Sequence, residues 1–419
     1  MVGTGGIAIL PAAPVRKRRR DVEYHFRQDS DFYYLTGFTE PDAVAVLVPG
    51  RPQGEYLVFC RERDPERELW DGSRAGQDGV IEHYGADDAF PIDDIDDIIP
   101  GLIEGCGRVY YTMGMYADFD THVAERVNSL RSKLSRGVHT PHEFVALDHL
   151  LHDMRLYKSR AEISAMRQSA KIAVAAHKRA MQMTRPGIFE YEVEAEFRHE
   201  FRRNGAWTSY NPIVGGGANG CTLHYVENRD ELKDGDLLLI DAGCELDYYA
   251  SDITRTFPVN GRFSPEQRAV YEIVLEAQLA AIEKTVKGNH WNDPHDAAVR
   301  VITKGLRDLG LLKGTLPTLI KDGAYRPFYM HRTGHWIGID VHDVGDYKVG
   351  DEWRVLETGM VTTVEPGIYI PNKRNIPKAF RNTGIRIEDD VAITNKGPDV
   401  LSKGLAKDPD DIEALMNAA

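Results

Sequence analysis

Cysteine is scarce in this chain. Its 419 residues hold four, Cys60, Cys106, Cys221 and Cys244, and no two form a CxxC pair. A disulfide framework is not expected at this length, and a reducing compartment such as the cytoplasm fits. Long hydrophobic runs are also missing, so no segment reads as a membrane span. Basic charge is in deficit: 51 Lys and Arg against 65 Asp and Glu give a net charge of −14. A nucleic-acid partner, which needs a basic face, is therefore not expected. The opening MVGTGGIAILPAAPVRKRRR puts its basic cluster after the short apolar run, the reverse of a secretory signal. Arg16 to Arg20 read as a solvated loop leading into Asp21.

What is present is a globular composition, 42% hydrophobic and 28% charged, on a chain long enough for two domains. We place them at residues 1–154 and 155–419. The first carries strand-like runs, GIAIL, AVAVLV and EYLVFC, between acidic loops. Within it, DDAFPIDDIDDIIP reads as a solvated helix or loop without the glycine and spacing of a calcium-binding EF-hand loop. In the second, Ser159-Arg160-Ala161-Glu162 is a capping-box signature opening a long helical pattern that Pro186-Gly187 stops. Further helices are expected from about Tyr191 to Arg203, from Ser264-Pro265-Glu266-Gln267 onward, and from about His295 to Leu309. Helices bracketing mostly antiparallel strands predict an α+β architecture.

Five residues of metal-ligand type sit on short apolar runs in the last part of the chain: Asp241, Asp252, His335, Glu365 and Glu388. Four carboxylates on apolar strands cannot all stay ionised in a dry site unless cations neutralise them. Two divalent metals would supply that charge, and paired metals make a hydrolytic nucleophile from water at neutral pH. A hairpin turn centred between Leu246 and Asp247 would set Asp241 opposite Asp252 on paired strands. In GIRIEDD, Ile385 and Ile387 point one way and Arg386 and Glu388 the other, so Arg386 can hydrogen-bond a ligand carboxylate. One imidazole among oxygen donors favours Mn, Fe, Co or Zn over a thiolate-type site. His335 and His342 share one site only if the WIGID run bends near Gly338.

Gly215, Gly217 and Gly220 in GGGANG match the G-x-G-x-x-G spacing of a dinucleotide loop. That fingerprint must open a helix, whereas Cys221 to Tyr225 read as strand-like. A flexible turn positioning His224 is the better reading.

These motifs together resemble the dinuclear metallopeptidases of the pita-bread fold, and more narrowly the Xaa-Pro aminopeptidase (aminopeptidase P) family, with prolidase as its near relative. The resemblance rests on LLLIDAG at 237–243, SDITRTFPVNGRFS at 251–264, HRTGHWIGIDVHDVG at 331–345, TVEPGIYI at 363–370 and GIRIEDDV at 384–391. RQDSDFYYLTGFTEPDA at 27–43 is similar to the family's N-terminal domain, although the chain opens on a strand-like segment where an N-terminal helix is often found.

The resemblance implies Asp241 as ligand of one metal, Asp252 and Glu388 as bridges, and His335 with Glu365 on the second metal. It implies two divalent ions, Mn²⁺ first with Zn²⁺ or Co²⁺ as alternatives, and a bridging hydroxide as nucleophile. His224, His331 and His342 would line the substrate cleft, with Glu365 passing the proton. Tyr369 and Arg386 would stand outside Asp241. Arg354 would approach the substrate's C-terminal side. Trp70, in ELWDGSRAG, would complete a neighbouring subunit's pocket in a dimer or tetramer, and its other reading is ordinary core. Arg332 and Thr358 occupy positions where relatives carry smaller or proline residues. The expected substrates are peptides with proline in second place.

Overall fold

The structure, a computed structural model, describes residues 2–418 and divides into two compact units between His152 and Asp153. The N-terminal unit is built on a six-stranded sheet in the order Asp88–Pro91, Tyr56–Cys60, Val44–Leu47, Gly6–Pro11, Arg108–Tyr110, Glu143–Val145. The apolar run Gly6–Pro11 is buried along its whole length, antiparallel to Val44–Leu47 and parallel to Arg108–Tyr110. A strand covered on both faces needs such an unbroken run.

Two readings change here. DDAFPIDDIDDIIP is not simply solvated. It forms the edge strand Asp88–Pro91 and the helix Ile95–Ile103, whose Ile95, Ile99 and Ile103 enter the core while the aspartates stay outside. Isoleucines four apart make one apolar helix face, which the density of aspartates hides by eye. The basic stretch is a small exposed ribbon, Lys17–Arg19 paired with Val22–Glu23, not an open loop.

The C-terminal unit is α+β, and all its strand pairings are antiparallel. Its helices Arg160–Met183, Glu190–Arg203, Pro265–Lys284 and Asp293–Asp308 follow the predicted pattern. Both capping boxes form: Ser159 with Glu162 and Ser264 with Gln267 each satisfy two backbone N–H groups that a helix start would leave bare.

Strand Leu237–Asp241 lies between Ile213–Gly216 and Thr254–Pro258. Leu238 and Ile240 face the main core with Phe197, Phe201, Phe257, Ile385 and Ile387. Each such buried side chain stabilises the fold by about 1.5–3 kcal/mol. Leu239 looks the other way, onto Ile213, Tyr225 and Tyr369, and Asp241 shares its face.

GGGANG is a short 3-10 turn over Gly217–Cys221, and no strand follows it, so the strand-like reading of 221–225 is corrected. Its backbone serves packing: a Cβ on Gly215 would lie 2.9 Å from the Gly220 nitrogen, and the opposing Gly384 comes so close that a Cβ there would lie 2.0 Å from the Gly220 carbonyl oxygen. Two backbones in such contact leave no room for a phosphate cradle.

Candidate active site

The five ligand-type residues arrive on three pairs of antiparallel segments. Asp241 ends its strand, and the following hairpin turns at Asp247 and Tyr248, both with positive φ, 47° and 69°. That is the left-handed pair that joins twisted strands with two residues. The turn lies one residue beyond the expected centre. Leu246 pairs with Tyr249, and Asp241 faces Thr254 rather than Asp252. Asp252 is instead the diagonal neighbour, just before strand Thr254–Pro258.

Tyr210 closes the remaining gap. Its hydroxyl is 2.5 Å from Asp241 Oδ1 and 2.5 Å from Asp252 Oδ1, so one proton is shared between two ligand carboxylates. Sequence reasoning missed this residue. SYNPIV has no period that marks Tyr210, and an Asn-Pro step reads only as a turn.

Glu388 follows strand Thr383–Arg386 and accepts from Thr254 Oγ1 at 2.5 Å. Arg386 donates to Asp241 Oδ2 at 2.6 Å, Tyr369 Oη at 2.8 Å and Thr254 Oγ1 at 3.1 Å. Glu365 lies between strands Val361–Val364 and Gly367–Ile370. The HRTGH segment lies flat against the first of these: His335 N–H donates to Thr363 Oγ1 and Thr363 N–H to the carbonyl of His335, each at 3.0 Å. Gly334 permits the approach, since a Cβ there would be 2.1 Å from the Thr363 carbonyl oxygen.

WIGID is not a strand. It passes through bends, and the rings of His335 and His342 meet edge to face at 4.3 Å. The loop is pinned by Asp343, whose carboxylate takes Arg155 at 2.6 Å and Lys158 at 2.8 Å, all three buried.

A cleft of about 330 Å³ is lined by the five ligand-type residues, by His224, His331 and His342, and by Leu223, Arg332, Tyr347 and Arg386. Tyr369 is fully buried behind it, its hydroxyl 3.0 Å from His331 Nε2. Arg354 is not among the lining residues. It turns to Asp153 at 3.0 Å and Tyr157 at 3.5 Å. Trp70 lies in the N-terminal unit on helix Pro65–Asp71, 88% exposed, so it is not core.

The charges in this cleft do not balance within the chain. Asp241, Asp252, Glu365 and Glu388 surround one buried guanidinium, Arg386, while Arg332 lies exposed at the rim. Burial pushes Asp241 up to about 6 against the pull of Arg386, and Glu365 up to about 7 against that of His335. Burial with Asp252 and Glu365 nearby drives Glu388 well above the carboxylate range. Burial also opposes ionisation of Asp252, but the hydrogen bond and charge of His335 outweigh it and hold Asp252 low.

His335 Nδ1 is 3.0 Å from the Trp336 carbonyl oxygen, so it carries a proton there and turns Nε2 toward Asp252 at 3.4 Å and Glu365 at 3.5 Å. Those carboxylates overcome burial and raise His335 to about 9 in the bare chain, a demand for positive charge at that point. Donor atoms of Asp252, His335 and Glu388 all lie within 4.8 Å of one another. Oxygen-rich donors around one bare imidazole nitrogen fit divalent cations.

Two of the flanking histidines, His331 and His342, are held below their ordinary values. Burial, then Arg386, holds His331 at about 3, and burial, then His335, holds His342 below its ordinary value. Two further buried carboxylates, also unread in the sequence, brace the ligands. Asp390 accepts from the Asp252 N–H at 3.1 Å, and Asp389 pairs with Arg255 at 2.7 Å and Lys407 at 2.8 Å.

Comparison with known proteins bears on both units. A model of metallopeptidase family M24 matches residues 164–395, and a model of the aminopeptidase P N-terminal domain matches residues 1–110. The Xaa-Pro aminopeptidase of Escherichia coli K12 is 46% identical over 417 residues, 99% of this chain and 94% of that protein. The solved structure of Pseudomonas aeruginosa aminopeptidase PepP is 61% identical with a TM-score of 0.98, covering 99% of this chain and 95% of that one. Zinc-substituted Escherichia coli aminopeptidase P in complex with product has a TM-score of 0.96 at 46% identity, covering 99% of this chain and 94% of that one.

Proposed function

The chain belongs to metallopeptidase family M24, and on that premise we propose how its site carries out the family's chemistry. It is a metallo-exopeptidase that releases the N-terminal residue from peptides with proline in second place. The observation that carries the reading is the convergence of four carboxylates and one bare imidazole nitrogen on a cleft that three more histidines line. We assign the metals as two divalent ions, Mn²⁺ first and Zn²⁺ or Co²⁺ as substitutes, held by Asp241, Asp252, His335, Glu365 and Glu388. Bound there, such ions would supply a nucleophile from water at neutral pH and polarise the scissile carbonyl.

The chain's own groups do the rest. His342 and His224 stand in the cleft wall as N–H donors for the oxyanion that develops on the scissile carbonyl. His331, kept neutral by burial and by Arg386, is oriented by the Tyr369 hydroxyl and the Arg332 carbonyl. The proline nitrogen has no N–H and cannot leave without a proton. Glu365, with Oε1 3.2 Å from Thr363 Oγ1 and a carboxyl raised toward neutrality, is the group placed to take a proton from water and return it to that nitrogen. For Arg354 and Trp70 a substrate contact rests on the resemblance alone, as does the assembly of dimers or tetramers; the cytoplasmic location rests on the scarcity of cysteine, and the domain bounds 1–154 and 155–419 on the helix start at Ser159. Among the described residues no helix is long and apolar enough to cross a membrane.

The test is a comparison of Xaa-Pro-Yaa tripeptides, Xaa-Pro dipeptides and Xaa-Ala-Yaa tripeptides with the metal-loaded enzyme. Cleavage of the first class above the other two is expected. A strong preference for dipeptides moves the activity to that of a prolidase, and indifference to proline removes the reading.

A further inference from the structure

We propose that Arg332 reads the carboxylate on the C-terminal side of the substrate, a role that rests on the aminopeptidase reading above. Arg332 follows His331 directly, is exposed, and lines the same cleft as His335 and Glu365. Two groups hold its guanidinium in place: Nη2 donates to Asn292 Oδ1 at 2.5 Å, and the cation lies 4.9 Å from the centre of the Trp353 ring. A fork with five N–H donors keeps most of them in reserve after one such bond.

Among the described residues no carboxylate of the chain pairs with Arg332. The other cation lining the cleft, Arg386, is buried and committed to Asp241, Tyr369 and Thr254. The cleft therefore has polarity. On the aminopeptidase reading its floor takes the amino-terminal residue beside the metal-ligand residues, and its rim presents one guanidinium that no carboxylate of the described residues pairs with. A short peptide bound with its amino group at the floor carries its negative group, the terminal carboxylate, downstream of the proline. A planar fork already fixed by Asn292 and Trp353 meets a carboxylate with little entropy left to lose. Arg354, by contrast, is turned to Asp153 and Tyr157.

The experiment compares one Xaa-Pro-Yaa peptide as free acid and as C-terminal amide, on Mn²⁺-loaded wild type, Arg332→Gln, Arg332→Lys and Arg354→Gln. Wild type should favour the acid by about tenfold in kcat/KM, mainly through KM, as one charge-assisted pair at a partly solvated rim permits. Arg332→Gln should bring the ratio near one, and Arg332→Lys should restore part of it. A merely structural role for Arg332 would lower both substrates alike and leave the ratio standing. An unchanged ratio in Arg332→Gln, or a collapse in Arg354→Gln instead, overturns the assignment. Equal cleavage of acid and amide by wild type overturns it too while the aminopeptidase reading stands; cleavage of neither removes both.

Discussion

At the scale of the residue, the two adjoining imidazoles, His335 and His342, separate by what their nitrogens face. His335 spends Nδ1 on a backbone carbonyl and turns Nε2 to two carboxylates, whereas the His342 ring meets the His335 ring edge to face. His335→Ala should therefore lower metal stoichiometry and take activity with it. His342→Ala should keep both metals and lose kcat by about a hundred- to a thousandfold, the usual cost of one transition-state donor. Elemental analysis with kinetics on the two variants decides, and metal loss in His342→Ala would remove its assigned role. Tyr210 offers a second case. Its one hydroxyl holds two like-charged groups in place, and losing such an outer contact costs roughly 10–100-fold in metal affinity. Tyr210→Phe should show that weakening in chelator competition; an affinity equal to wild type would mean the two aspartates are held by their strands alone.

Elements explain what could be read from the chain in advance and what could not. The capping boxes at Ser159 and Ser264 are local and were legible, because every group involved lies within four residues. The alternation in GIRIEDD was legible for the same reason: period two fixes that Arg386 and Glu388 share a face. The hairpin register was not. Tyr248 adopts a left-handed conformation that a bulky side chain seldom takes, so the turn lies one residue beyond the centre that would have set Asp241 opposite Asp252. Tyr210, Asp389 and Asp390 escaped notice because their partners Asp241, Asp252, Arg255 and Lys407 are 18 to 138 positions away in the chain, beyond any local pattern. The loop that brings in His342 belongs to this class. Its anchor is a buried carboxylate between two buried cations, and removing one member of such a set leaves uncompensated charge. Asp343→Asn should destabilise the C-terminal unit by about 3–5 kcal/mol. Combining it with Lys158→Met should recover part of that loss. Denaturant titration reads both, and an additive pair of losses would show that the clamp is not one electrostatic unit.

Over the whole molecule the acidic excess of −14 and the buried acidic cluster make stability depend on counter-ions and protons. Metal that binds only the folded chain stabilises it by mass action, about 2.7 kcal/mol at a free concentration a hundred times Kd. Chelation should lower Tm, and Mn²⁺ should restore it. The proton dependence has two opposed parts in the metal-free chain. Asp241 and Glu365, raised to about 6 and about 7, bind protons more tightly folded than unfolded, so acid helps the fold there. His177 does the reverse. It is fully buried, with Nε2 3.0 Å from the Ala242 carbonyl oxygen and Nδ1 without a partner, and burial, then Arg255, depresses it to about 3. Unfolded, it takes a proton near pH 6.5. Below that pH the unfolded chain binds a proton the folded chain refuses, so stability present above pH 6.5 drains away as pH falls toward 3. His295, depressed to about 4 by burial and by Arg332, adds in the same direction. The opposed carboxylates mask this in wild type alone, so the difference between wild type and His177→Gln is the measurement. Glutamine keeps an N–H for the Ala242 carbonyl and cannot be protonated. From pH 6.5 to 4 the stability of wild type relative to the variant should fall by about 1.4 kcal/mol per pH unit. A difference that stays flat over that interval would mean His177 is protonated in the fold, and its burial would then need another explanation.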